Sequence, residues 1–199
     1  MNKNIFNIAL AFAFLTLVVS CGKKDSGEVA EQINYDSVYS LYNTVKFKSD
    51  SSWEHMIYED NGKLELMEEL ISIMAQSGLS SEEAEKLKNG LNDLKSLQYS
   101  RADLKESEKI DIYDSATDSY TMQLFEAADK IKVQDINGEA EIIMDSIESA
   151  NNNRLMLRID HDAHTKVYNE IIMNFPDSIS SLENGVKPEE RGIFTLPFE

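Results

Sequence analysis

The sequence predicts an all-α fold, and three observations carry that expectation. Only three prolines occur in 199 residues, Pro176, Pro188 and Pro197, all in the last stretch of the chain. Between residues 31 and 174 the glycines are Gly62, Gly78, Gly90 and Gly138, too few to punctuate a fold of many short strands. Apolar side chains then recur at spacings of three and four, which places them along one face of a helix.

Four helices follow from that spacing, at about 30–60, 63–77, 80–133 and 137–174. Asn61-Gly62 and Ser77-Gly78 read as helix ends. In the second helix Leu64, Met67, Ile71 and Met74 form the core stripe, widened by Leu66, Leu70 and Ile73. Ser80 and Glu83 stand at capping-box spacing before Leu87, Leu91 and Leu94. A second stripe, Tyr113, Ala116, Tyr120, Leu124, Ala127 and Ile131, lies about 100° out of phase with the first at 3.6 residues per turn. The third helix therefore bends or splits near Glu106 to Ile112. Asp135 to Gly138 marks the next break, and Leu155, Ile159, Ala163, Val167 and Ile171 step by four as the stripe of the last helix. Met56, Met67, Met74, Met122, Met144, Met156 and Met173 sit mostly at core spacing. After Phe175-Pro176 the periodicity stops, so residues 177–199 read as an irregular, extended tail. Its apolar end, Ile193 to Phe198, is expected to fold back over the bundle; left free, it would be a short motif for a partner's groove.

The first twenty residues read as a cleavable signal. One cation, Lys3, precedes an apolar run from Ile5 to Val19, shorter than the roughly 20 residues that span a bilayer. Val18-Val19-Ser20-Cys21 has the form of a lipobox, in which the cysteine becomes the first mature residue and carries lipid. Cys21 is the only cysteine, so no internal disulfide is available. Residues 21–31 then form a polar tether, 32–176 the helical domain. The expected setting is the cell envelope, facing away from the cytoplasm, with the outer membrane favoured by Gly22 where the host has two. Without the signal, 18 cations face 36 acids, a net charge of −18. Such a surface repels nucleic acid and anionic head groups, so no nucleic-acid partner is expected.

Two groups of residues invite a closer reading. Tyr42-Asn43-Thr44-Val45, Ser52-Trp53 and the leucine-rich Leu64 to Ile73 precede a closing run, Tyr168-Asn169-Glu170-Ile171-Ile172-Met173-Asn174-Phe175-Pro176. In order and spacing these resemble the LemA family over most of residues 35–199. The chain departs from the family's usual pattern where Glu59 to Lys63 replaces a basic run and proline, and where a lipobox replaces a transmembrane anchor. The resemblance implies a four-helix up-and-down antiparallel bundle with long helices, and a setting at a membrane, but no reaction. An Asn beside a Tyr inside each outer helix also suggests interhelical hydrogen bonds, with Asn43 and Asn169 on facing helices or bonded to backbone across the bundle, since a buried unpaired amide costs about 1–3 kcal/mol.

The second group is Asp160-His161-Asp162-Ala163-His164. His161 and His164 are three apart, and Asp160 lies one turn before His164, an arrangement that a transition metal would accept with His55 as a third ligand. No histidine has a Glu three positions earlier, so the pattern of a dinuclear carboxylate site is missing, and a solvated polar edge accounts for the same residues. There is no Gly-x-Ser-x-Gly elbow and no glycine-rich phosphate loop. The reading is a non-catalytic scaffold or interaction module without cofactor, held to a membrane through Cys21 and bound to an envelope protein. The alternative is a ligand- or metal-binding bundle using His161 and His164.

Overall fold

A computed structural model describes residues 35–194. All regular structure among them is helical: α1 (Tyr35–Gln76), α2 (Ser81–Ser96), a 3-10 turn (Arg101–Lys105), α3 (Ser107–Ile131), α4 (Val133–Ile136), α5 (Gly138–Asn174) and α6 (Pro176–Leu182). The signal, Cys21, the tether and residues 195–199 lie outside the described residues.

Where two helices were expected at the start, one runs through. α1 has 42 residues, about 63 Å at 1.5 Å per residue. Gly62 costs an α-helix only about 1 kcal/mol relative to alanine, and what surrounds it outweighs that. Lys63 and Leu64 are buried on one side, while Asp60 and Asn61 both accept from Gln98. The real stop is Ser77-Gly78. Gly78 takes φ +111°, and Leu79 N–H reaches back to Met74 O at 2.9 Å, closing the helix in a Schellman turn.

The expected third helix splits, though at Leu97 to Glu106 and not at Glu106 to Ile112, which is helical from Ser107, and its halves pack as neighbours. Ser80 caps α2, accepting from Glu83 N–H at 3.2 Å. After Leu97 the chain leaves the helix, turns through the 3-10 segment and starts α3 at Ser107. Tyr120 donates to Leu87 O at 2.8 Å, and a Cβ on Gly90 would meet the Tyr120 ring at 3.0 Å, so the two helices touch closely there. α5 runs antiparallel to α1: Tyr42 stacks on Tyr168, and Ser49 pairs with Thr165. It also crosses α3 through Arg158 and Asp114.

Two apolar clusters form. The larger joins Leu64 to Met74 of α1 with Leu87, Leu91 and Leu94 of α2, Tyr120 and Leu124 of α3, and Ile143 and Ile147 of α5. The smaller joins Tyr42, Val45, Tyr168, Ile171, Ile172 and Ile179 at the other end. These stripes match the sequence except in mid-α5, where Leu155 and Ile159 are 62% and 52% exposed and Ala163 faces out with them. The face turned inward there carries Arg154, Arg158, His161, Asp162 and Thr165 instead. Hydrophobic spacing misphases that helix because its buried face is polar. Met122, Met156 and Met173 are likewise exposed rather than core. The region after Phe175 is not wholly irregular either: Pro176 opens the short helix α6, which buries Ile179, and the chain becomes irregular only after Leu182.

Candidate functional site

The histidines do not form one site. His161 is fully buried, its Nδ1 3.3 Å from Asp162 Oδ1 and its Nε2 3.4 Å from Thr165 Oγ1. Its ring meets Trp53 and Phe194 edge-on, at 6.0 and 5.5 Å between centroids. His164 is half-buried, with Nε2 3.4 Å from Asp160 Oδ1. Burial pushes its pKa down against the pull of Asp160. His55 is exposed beside Glu59. Among the described residues no group of three or more His, Cys, Asp or Glu is placed to hold a metal ion.

What the middle of the molecule holds instead is an ionic cluster. Lys63 Nζ lies 2.9 Å from Asp60 Oδ1, with the lysine side chain 1% exposed. Tyr113 and Gln98 donate to the same carboxylate. Arg158 forks onto Asp114 at 2.6 and 2.9 Å and donates to Tyr99 Oη at 2.7 Å, while Arg154 Nη1 is 3.2 Å from Asp114. Burial drives the Asp60 carboxyl up, but the Lys63 charge and the Tyr113 hydrogen bond outweigh it, and the net shift is downward. Burial lowers the Lys63 pKa despite Asp60, and burial next to Asp60 pushes Tyr113 up. The small cavities here, about 20 and 10 Å³, share Met56, Asp60 and Arg154 and admit little more than a water.

Next to this cluster the irregular tail lies along α1 and α5 as an extended segment. Asn169 holds its backbone at both ends of one residue: Nδ2 donates to Arg191 O at 2.8 Å, and Oδ1 accepts from Arg191 N–H at 2.9 Å. The Arg191 guanidinium lies 4.1 Å over the Tyr168 ring and reaches Lys46 O and Asp50. Gly192 follows where a Cβ would come within 2.6 Å of Leu104 Cβ. Phe194 then enters an aromatic box of Trp53, Tyr99 and His161, with the Arg158 guanidinium 4.7 Å over its ring and its N–H donating to Asp162 at 2.9 Å.

No protein family, curated protein or solved structure matches this chain.

Of the residues marked in the sequence, Tyr42, Trp53, Tyr168 and Asn169 converge on this end of the molecule. Tyr42 stacks on Tyr168 at 5.5 Å and donates to Glu183, which also takes Lys46. Burial and that carboxylate push the Tyr42 pKa up, while the hydrogen bond from Lys46 holds Glu183 below the usual carboxylate range. Phe175 packs against the smaller cluster, and Pro176 starts α6. The expectation for the two asparagines divides. Asn169 is buried and bonds backbone, but that of the tail rather than of a facing helix, while Asn43 is exposed. Sequence reading passed over Asp50, Asp60, Lys63, Arg101 and the tail arginine. One signal was present: among 19 cations only Arg101, Arg154, Arg158 and Arg191 are arginines, and all four pair with Asp50 or Asp114. A planar fork suits partly buried carboxylates better than an ammonium does.

Proposed function

We propose that this chain is a lipid-anchored protein of the bacterial cell envelope whose helical domain works as a non-catalytic interaction module. The observation that carries the anchor is the run Val18-Val19-Ser20-Cys21 behind a short apolar segment, with no second cysteine to compete for the role. In favour of an interaction role, Phe47 and Tyr58 stand outward three turns apart on one face of α1, 72% and 74% exposed. We further infer a distant relation to the LemA proteins, with α1, the paired α2 and α3, and α5 acting as a four-helix up-and-down bundle. Support comes from the motif residues of the outer helices, Tyr42, Trp53, Tyr168 and Asn169, which meet around the tail.

Metabolic labelling of expressing cells with an alkynyl palmitate tests the anchor. Label should appear on the wild type, disappear in Cys21→Ser, and the variant should leave the membrane fraction; a labelled Cys21→Ser chain refutes it. Crosslinking in intact cells followed by purification tests the interaction role, which predicts a discrete crosslinked envelope protein.

A further inference from the structure

We propose that the groove between α1 and α5 is a peptide-recognition site, that residues 191–194 are its resident ligand, and that its partner is an extended protein segment presenting arginine, glycine and, three residues after the arginine, an aromatic ring. The proposal rests on the interaction-module reading and names the surface through which that module binds.

Three features of the seated tail make it a ligand rather than a further piece of core. First, the grip on Arg191 is on its backbone. One amide side chain supplies a donor and an acceptor to the carbonyl and N–H of a single residue, the means by which a groove captures any extended strand. Second, the specificity elements are separate niches. The guanidinium has a tyrosine face and a carboxylate, the glycine has a wall at Leu104, and the ring has a box of three aromatic side chains under an arginine. Third, the tail is tethered by a compliant loop. Residues 184–187, 189 and 190 are exposed, with Pro188 half-buried among them, and Asn184 and Gly185 both take positive φ, so the four residues can lift without unwinding α6.

A tail held in cis competes at the high effective concentration set by its short loop, so an outside segment binds well only when the tail is unseated. The test uses the full mature chain and a fluorescent peptide of residues 188–199, read by anisotropy. Two variants unseat the tail: Arg191→Ala with Phe194→Ala, which removes its side-chain anchors, and Gly192→Val, which drives it off Leu104 without touching the groove walls. Both are expected to bind the peptide at least about tenfold tighter than the wild type, with wild-type helicity by circular dichroism. Adding Asn169→Ala to either should cost at least about tenfold in that affinity. The proposal is overturned if neither folded variant gains affinity, if Asn169→Ala leaves the binding unchanged, or if both unseating changes unfold the helices, since the tail is then core. Peptide binding in vitro without any crosslinked partner in cells would instead remove the interaction-module reading and leave the groove standing.

Discussion

Around Leu70, Leu124 and Ile147 the helices meet through a mainly apolar cluster. Around Asp60 and Arg158, farther along the same α1 and α5, they meet through charges. The apolar region is held by area removed from water, which is non-directional and forgiving of shape. The ionic region is held only while each group keeps its partner, because an orphaned buried charge costs more than the pair contributes. One pair of helices thus has a tolerant half and an exacting half.

The largest expected effect lies in the exacting half. Asp60→Ala strands Lys63 and should lower the unfolding free energy by about 3–5 kcal/mol in urea. Replacing both groups by apolar residues of similar volume, Asp60→Leu with Lys63→Met, should recover most of that loss; a double variant as unstable as the single one would show that the pair itself is indispensable. The same carboxylate predicts an acid response. Its pKa is depressed in the fold, so on acidification the unfolded chain takes up the proton first. Its contribution is present above the unfolded value, about 4, and is lost as pH falls through the folded value. The wild-type melting temperature should therefore drop more steeply below pH 4 than that of the apolar double variant.

In the tolerant half, Leu124→Ala opens a cavity and should cost about 2–5 kcal/mol, while Leu124→Met should cost under about 1.5 kcal/mol. If Leu124→Met proved as damaging as Leu124→Ala, the two halves would be equally exacting and the contrast would fail. Smaller still is the cap: Ser80→Ala should cost about 1 kcal/mol, measured as the shift in urea midpoint. At the bottom of the scale, Gly62→Ala should stabilise by about 0.5–1 kcal/mol, because a Cβ there meets nothing within 4 Å.

This contrast also marks how far the sequence could be read. The tolerant half announces itself: Leu64 to Met74, Leu87 to Leu94 and Tyr113 to Leu124 follow helical spacing, and all face the core as expected apart from partly buried Leu66 and Ala116. Hydrophobic periodicity carries no signal for a buried face built of Arg, His, Asp and Thr. Leu155 and Ile159 therefore drew the stripe onto the solvent side of α5. Asn61-Gly62 read as a break because local propensity favours one there, and tertiary contacts on either side override it. The residues of the groove were partly legible, Trp53, Tyr168 and Asn169 standing out by type. Their common target, a four-residue stretch of tail distant in sequence, was not, since no local pattern ties Asn169 to Arg191.

The antiparallel pairing of α1 and α5 has a mechanical side. The start of α1 and the end of α5 lie together at the Tyr42–Tyr168 stack. Tension applied between Tyr35 and Asn174 thus loads the contacts between the two helices in series, one after another, and not in parallel. The Tyr42–Tyr168 stack is the first to open, then each successive turn, so the helix pair yields as a zipper under small forces although its far end is firmly packed.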